Sequence, residues 1–359
     1  MRATRASAVR GRLWLAAAAC LAPLALAPDP ASGRMVARAA GGAAHMTYIA
    51  TPAGANASPE VWLADADGGD ARELGRASTA VLSPDGAFVA AVRPAAGSAT
   101  HGSSLVLYTL TRKPTARVLR TSTAQLTILA WSPDDRWIAV VDGDSLVAVP
   151  LSGTPRTIAT GTINGASFAP SQPDRLVFAK AQSLLVSAAV DLYTVSLRGG
   201  SAAAITHDGL SEYPLWGPRG IVFSRELSHS SPTYQLWSIG SNGSGAKQLT
   251  NVTLSAPFYG LEPVAISANG KHLLANLVGD NQTEAWTVDL SAKPVAARDL
   301  GGTGLTTIGN AISRDGSSIL LTEDSGSSNT TSQSVAMVPW SGGSATTLAA
   351  HGAFASWNR

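Results

Sequence analysis

A short pattern recurs seven times along this chain: an apolar run, a turn rich in Ser, Pro, Asp or Gly, and a second apolar run. The clearest turns are Ser83-Pro84-Asp85-Gly86 and Ser132-Pro133-Asp134-Asp135. In order along the chain, the first position of the turn is held by Ser83, Ser132, Ala169, Gly217, Ser267, Ser313 and Asn358. The successive intervals are 49, 37, 48, 50, 46 and 45 residues. A period of this length indicates a repeat architecture, which constrains the fold more than any single residue does.

Each interval contains segments typical of short β-strands, such as Leu126–Trp131, Trp137–Val141 and Leu146–Val149, and no stretch shows helical periodicity. The period and the strands together predict an all-β fold, a seven-bladed β-propeller of four-stranded antiparallel blades. The first predicted strand is Met46–Ala50 and the last is Ala353–Trp357. Pairing of these N- and C-terminal strands is expected to close the ring and remove its exposed edges.

The N-terminal region has the pattern of an export signal. Several arginines precede the apolar run Leu13–Ala27, which is too short to span a bilayer, and Ala37-Arg38-Ala39 suits signal cleavage. We therefore predict a signal peptide and leader over residues 1–39, and a single propeller domain over residues 40–359. The expected location is the periplasm or the outside of the cell. Lipid anchoring through Cys20 is a less favoured alternative.

Removal of the leader changes the charge of the protein. Residues 1–39 contain six Arg and one Asp, so residues 40–359 keep 20 basic and 23 acidic residues and a net charge near −3. No compact Lys/Arg cluster remains to follow a phosphate backbone, which argues against nucleic-acid binding. Cys20 is the only cysteine, so no disulfide or thiolate metal site is expected. We expect a monomer without a transmembrane segment in residues 40–359.

Three sequence features imitate functional motifs. Gly143-Asp144-Ser145-Leu146 resembles the start of a GDSL hydrolase motif, but the following helix and the later Asp-x-x-His are missing, so a hairpin turn is predicted. Asp65–Asp70 imitates a calcium loop, but it has no suitably placed bidentate Glu and suits a turn between strands. The six histidines show no zinc-binding spacing, and His272 is expected to be structural.

Two sequence patterns resemble those of a known repeat family. Trp131-Ser132-Pro133-Asp134 and the longer pattern Leu236-Trp237, Gly243, Gln248-Leu249-Thr250 are similar to the TolB-type repeat, also called PD40 or WD40-like. The resemblance covers nearly all of residues 40–359, and it implies a propeller scaffold that hosts unrelated functions. TolB has six blades and an additional N-terminal α/β domain, whereas this chain has seven repeats beginning near Met46.

A ring of candidate binding residues follows from the repeat. The positions five residues before the turn should surround one mouth of the central channel, and they hold Ser78, Thr127, Asn164, Glu212, Glu262, Ile308 and Ala353. Two neighbouring blades place a glutamate there, which would bring two carboxylates near each other. Their repulsion would have to be offset by a cation, an amine or a shared proton. Tyr213 and Tyr259 lie nearby in sequence. The candidate binding residues are Glu212, Glu262, Tyr213, Tyr259, Asn164, Thr127 and Ser78. The alternative is that both glutamates accept hydrogen bonds from the protein and tie blades together.

Long connections are predicted on the same side of the disk as this channel mouth. They are Thr51–Glu60, Arg93–Ser104, Lys180–Val190, Arg225–Thr233, Thr250–Leu261 and Glu323–Gln333. Binding groups concentrate on loops held by a rigid scaffold. The sequence therefore favours a secreted, non-catalytic scaffold without a cofactor, which binds a protein, peptide or envelope ligand on this long-loop face. The alternatives are a small-molecule hydrolase or lyase that uses the mouth carboxylates with a divalent cation, and an accessory propeller of a peptidase system.

Overall fold

The computed structural model describes residues 44–52, 58–95, 102–183, 189–229, 231–300, 306–324 and 333–358. These residues form 28 β-strands and no helix, so none of them belongs to a helix that could span a membrane. The predicted leader, its cleavage site and Cys20 lie outside the described residues, as do parts of most of the predicted long loops.

The strands follow one another in groups of four. They are β1 (His45–Ala50), β2 (Glu60–Asp65), β3 (Arg72–Arg76); β4 (Thr79–Leu82), β5 (Phe88–Pro94), β6 (Ser103–Thr109), β7 (Thr115–Ser122); β8 (Leu126–Trp131), β9 (Trp137–Asp142), β10 (Ser145–Pro150), β11 (Arg156–Thr160); β12 (Ile163–Ala169), β13 (Gln172–Ala181), β14 (Val190–Ser196), β15 (Ala203–Ala204); β16 (Ser211–Gly217), β17 (Gly220–Ser228), β18 (Ser231–Ile239), β19 (Lys247–Gln248); β20 (Phe258–Ile266), β21 (His272–Gly279), β22 (Thr283–Asp289), β23 (Ala296–Asp299); β24 (Thr306–Ile312), β25 (Ser318–Asp324), β26 (Gln333–Pro339), β27 (Thr346–Ala349); and β28 (Ala353–Trp357).

Antiparallel pairing joins the strands into four-stranded sheets. Sheet 1 has the order β28-β1-β2-β3, and sheets 2, 3, 4 and 7 consist of β4–β7, β8–β11, β12–β15 and β24–β27. Sheets 5 and 6, which are β16–β19 and β20–β23, are connected by one parallel bridge between Tyr234 and Gly260. In sheet 1, Met46 lies opposite Trp357 and Thr47 lies opposite Ser356, so the last strand of the chain pairs with the first.

A buried serine organises the recurrent turn. The Ser132 hydroxyl donates a hydrogen bond to Asp134 Oδ1 over 2.7 Å and accepts one from the Trp137 amide over 2.9 Å. Ser83, Ser267 and Ser313 make the same pair of contacts in their own turns. All four serines are at most 1% exposed. The turn therefore satisfies a buried backbone amide with a side chain, which explains why Ser recurs at the first position.

The apolar core lies between neighbouring sheets. Each of the hydrophobic clusters among the described residues draws side chains from two consecutive sheets, and one cluster joins Leu320 and Val335 of sheet 7 to Met46, Tyr48 and Trp357 of sheet 1. Burial against a neighbour on both sides explains the short, nearly continuous apolar strands.

The first strand of each repeat forms an inner layer. These inner strands are β4, β8, β12, β16, β20, β24 and β28, and each of them contacts the next. Contacts also join β28 to β4. All of the inner strands except β4 carry a one-residue β-bulge three or four residues before the first position of the recurrent turn. A bulge bends its strand and re-aims the side chains beside it, so these strands share a local distortion as well as a sequence position.

One predicted loop is wrong. Arg225–Thr233 was expected to be a long irregular connection, but β17 continues to Ser228 and β18 begins at Ser231. These two residues lie opposite each other, so the two strands pair up to positions separated by only two residues in the sequence. The reason is physical: strand pairing along this segment satisfies backbone groups that a loop would leave to water.

Candidate binding site at the inner strands

The predicted mouth residues differ in their contacts. Glu212 is 7% exposed on β16, and its Oε2 accepts a hydrogen bond from the Asn164 Nδ2 of β12 over 3.0 Å. Two of the predicted residues from neighbouring sheets are therefore directly bonded. A nearly buried carboxylate with such a partner is stabilised in its place and ties the two inner strands together.

Glu262 occupies the equivalent position on β20. It is half-buried, and its Oε1 accepts a hydrogen bond from the hydroxyl of Tyr234 over 2.9 Å. Tyr234 itself is fully buried on β18 of the preceding sheet. The two glutamates are thus held by similar contacts, in which a polar side chain from the preceding sheet donates to the carboxylate.

A short path connects the two glutamate positions. Ser224 lies opposite Glu212 in sheet 5, and its hydroxyl donates to the backbone oxygen of Leu261, the residue before Glu262, over 2.8 Å. Ser224 is completely buried. This buried hydrogen bond therefore joins the strand that pairs with Glu212 to the strand that carries Glu262.

The bulges give two aromatic residues an unusual backbone. Tyr213 and Phe354 occupy the same position of β16 and β28, four residues before the first turn position, and both have a φ of +51°. Gly165 has a φ of +102° at this position of β12. Left-handed backbone is natural for glycine but costly for a bulky side chain. Phe354 is also 38% exposed, one of few large apolar side chains at the surface of the described residues.

An ion pair lies beside Glu212. Arg225, opposite Ser211 in sheet 5, donates from Nε to Asp208 Oδ2 over 2.7 Å, and its guanidinium carbon lies 4.5 Å from the centre of the Trp237 ring. Burial alone would raise the pKa of Asp208, but hydrogen bonds from Arg225, the Leu210 amide and the Ser211 hydroxyl hold that pKa below its usual value. Asp208 therefore stays ionised more readily than a free carboxyl, and its charge is balanced by that of Arg225.

Comparison with solved structures identifies the architecture. The β-propeller domain of the Trilobed protease from Pyrococcus furiosus has a TM-score of 0.63 and 11% identity, over 86% of this chain and 95% of that one. TolB from Acinetobacter baumannii has a TM-score of 0.55 and 15% identity, over 88% and 82%. The chain has a TolB-like β-propeller fold. An oligogalacturonate lyase from Vibrio parahaemolyticus is also similar, with a TM-score of 0.55 and 15% identity over 76% and 77%. No protein-family model and no curated protein matches the chain.

These similarities concern the propeller fold alone, because all three identities are low and the similar proteins differ in function. The four-stranded sheets correspond to the blades of the propeller. The candidate site therefore lies on the inner strands of adjacent blades, and its function has to be argued from its own residues.

The other predicted residues of the propeller site have smaller roles. The Ser78 hydroxyl donates to the backbone oxygen of Val92 over 3.3 Å, and Thr127 lies opposite Val141 within its own blade. Tyr259 is the extra residue of a second bulge at the start of β20, where Phe258 and Gly260 lie opposite consecutive residues of β21. The structure thus joins Asn164 to Glu212 directly, and it gives Ser78 and Thr127 contacts within their own blades.

Sequence reasoning missed Phe354 and Tyr234. Phe354 follows Ala353 as Tyr213 follows Glu212, so the same offset along the repeat would have found it. Tyr234 lies in the middle of β18 and has no special sequence position. Its contact with Glu262 crosses between blades and depends on how adjacent blades pack.

The three sequence features that resemble functional motifs have structural roles. Gly143 and Asp144 form the two-residue connection between β9 and β10, where Asp142 lies opposite Ser145. In the calcium-like segment, Asp67 Oδ1 accepts a hydrogen bond from the Gly69 amide over 3.0 Å, as in an ordinary turn. His272 begins β21, stacks on Trp340 with ring centres 4.1 Å apart, and contacts the backbone oxygen of Gly316. No group of three or more potential metal ligands occurs among the described residues.

Proposed function

We propose that the protein is an exported, seven-bladed propeller closed by pairing of its N- and C-terminal strands. Three features support this arrangement. The last strand pairs with the first, the inner strands contact one another in sequence and β28 contacts β4, and an apolar cluster joins sheet 7 to sheet 1. The basic and apolar N-terminal segment supports export to the periplasm or beyond.

The proposed function of this propeller is non-catalytic binding of a protein, peptide or envelope ligand at the channel mouth and its surrounding loops. The left-handed backbone of Tyr213 and Phe354 is the observation that carries the proposal. Each such conformation costs about 1 to 3 kcal/mol, and such outliers concentrate at binding and catalytic sites. A purely structural bulge would be better served by glycine, as at Gly165.

The charge of the site favours a cationic group on the ligand. Glu212 and Glu262 supply carboxylates from adjacent inner strands, and aromatic faces beside carboxylates attract ammonium or guanidinium groups. Glu212 and Glu262 also accept hydrogen bonds from Asn164 and Tyr234, which hold their carboxylates in place before any ligand binds. Such preorganisation reduces the entropic cost of binding.

Calorimetric titration can test this function. Trilysine peptide and calcium chloride would be titrated separately into wild type, into the Glu212→Gln/Glu262→Gln variant, and into Glu60→Gln/Glu73→Gln as a charge-matched control in sheet 1. We expect one of the two probes to bind wild type and the control, and to bind the mouth variant at least tenfold more weakly. Equal binding to all three proteins would contradict the site.

The carboxylates also suit a second function. With a divalent cation at the channel mouth, they could serve a hydrolase or a lyase that acts on a small molecule. The presence of two carboxylates on adjacent inner strands is the observation that favours it. This alternative requires turnover that depends on added metal and is lost in the mouth variant. Binding of trilysine without metal-dependent turnover would favour the scaffold, or the accessory propeller of a peptidase system.

A further inference from the structure

We infer that the outer edge of β7 is a second interaction surface, which binds an extended acidic peptide by adding it to sheet 2 as a fifth strand. β7 contains eight residues, whereas the outer strands of the other sheets contain two to five. It pairs with β6 on one side, and no other strand of the described residues pairs with its outer edge. Long free edges of this kind are templates for strand addition.

The geometry of β7 leaves a regular stretch for pairing. The outer strands β3, β7, β11 and β27 each contain a bulge, whose extra residue is Leu74, Leu119, Ile158 or Leu348. Each of these four side chains packs into the apolar core. Before the bulge, β7 has four residues, Thr115–Val118, whereas the other three strands have two. All four residues are exposed, and Val118 has the largest exposure of any large apolar side chain described, at 54%.

The charge of sheet 2 identifies the chemistry of the partner. The 48 residues between Asp85 and Asp134 contain five Lys or Arg and no Asp or Glu. Arg112 and Lys113 are exposed just before β7, and Arg117 is exposed within its regular stretch. Arg120 pairs with Asp142, but Arg117 donates to the backbone oxygen of Leu151, so its positive charge is not neutralised by that contact. An acidic strand would find complementary charge at Arg112 and Lys113, just before the edge begins, and at Arg117 within its regular stretch.

The same charges disfavour a second copy of this chain as the partner. Antiparallel pairing of two β7 edges would place Arg117 and Lys113 of one copy near those of the other, and like charges on opposed strands destabilise a sheet. A partner with alternating acidic and β-branched residues would instead pair its carboxylates with the basic groups and cover Val118 with an apolar side chain.

Fluorescence anisotropy with a labelled peptide of three Glu-Val-Glu-Thr repeats tests the proposal on the full chain. We expect the Lys113→Glu/Arg117→Glu variant to bind at least tenfold more weakly than wild type. The matched control is Arg72→Glu/Arg156→Glu, which makes the same charge change at the first residues of β3 and β11. Arg156 donates to the backbone oxygen of Leu197 as Arg117 does to that of Leu151, so the control also loses an equivalent contact.

Two further measurements separate strand addition from plain charge attraction. A version of the peptide N-methylated at successive residues keeps its charge but has no N–H donor on either edge, so it cannot pair with β7 and should lose binding. Amide hydrogen exchange should show new protection at Thr115–Val118 when the unmodified peptide binds. Equal binding of the methylated peptide, equal loss in the control variant, or protection elsewhere would overturn the proposal. Dimerisation that protects Thr115–Val118 without peptide would also overturn it, in favour of a second copy.

Discussion

The recurrent turn depends on the hydroxyl of its buried serine. In the Ser132 turn the hydroxyl accepts hydrogen bonds from the Arg136 and Trp137 amides over 3.1 and 2.9 Å. Since Ser132 is completely buried, water cannot replace it. We expect Ser132→Ala to lower the free energy of unfolding by about 1 to 3 kcal/mol, the cost of orphaned buried donors. Urea denaturation measures this, and Ser341→Ala, at an exposed turn, is the control. An equal effect in both variants would contradict this role.

Asp135 occupies a position that glycine holds in three related turns. Its φ is +59°, and Gly86, Gly270 and Gly316 stand at the same place with φ of +75°, +68° and +79°. Burial first, and then the carboxylates of Asp85 and Asp134, act against a lowering hydrogen bond from the Asp85 amide and together raise the pKa of Asp135 to about 6. A raised pKa means that the folded state prefers the protonated acid. The contribution of Asp135 to stability is therefore complete below pH 4 and is lost as the pH rises through about 6.

This titration predicts the behaviour of two variants. Asp135→Gly should be more stable than wild type at pH 7 by about 1 kcal/mol from backbone relief, with an added electrostatic gain. The advantage should shrink as the pH falls from 7 to 4. Asp135→Asn keeps the backbone conformation but removes the charge, so it should show the pH-dependent part of the gain alone. Melting temperatures between pH 4 and 8 check this, and a gain that does not vary with pH would refute the electrostatic part.

At the scale of elements, β28 is a strand that belongs to the sheet begun at the other end of the chain. Its Ala355 and Trp357 are buried against Met46 and Tyr48. A chain ending at Ala353 should therefore melt at least about 10 °C lower, because it loses an aromatic core side chain and leaves β1 with an open edge. Calorimetry would measure the shift, and Trp357→Ala should reproduce part of it. An unchanged melting temperature would show that β28 does not stabilise sheet 1.

The sequence predicted the elements better than the site, and the reasons differ. Ser132 and Gly86 reveal their turns because only a few residue types supply a short hydroxyl or a left-handed backbone. The inner-strand bulges have no comparable signal, since the residues found at their left-handed position, Gly165, Tyr213 and Phe354, share no residue type. The contact between Tyr234 and Glu262 crosses two sheets and was likewise invisible. Local turn chemistry can be read from single residues, but contacts between sheets depend on packing.

At the scale of the whole molecule, the described ends of the chain meet. The His45 amide donates to Asn358 Oδ1 over 2.8 Å, and the Asn358 amide donates to the backbone oxygen of His45 over 3.3 Å. We therefore expect a circular permutant, with residues 44 and 358 joined by a short Gly-Ser linker and new ends at Gly153, to keep its circular dichroism spectrum and its melting temperature within a few degrees. New ends within β9 at Ala139, which is buried, should prevent folding. Loss of structure in the Gly153 permutant would contradict the proposed closure of the ring.

The pairing of β28 with β1 also sets an order in time. A ribosome releases β1 before the other described strands and β28 after them, so sheet 1 remains one strand short until β28 emerges, while the sheets between them already have all of their strands. The final pairing joins residues separated by almost the whole chain, a type of contact that forms slowly. A chain that cannot complete its first sheet early takes longer to reach a stable fold, and such a delay would suit the export proposed above.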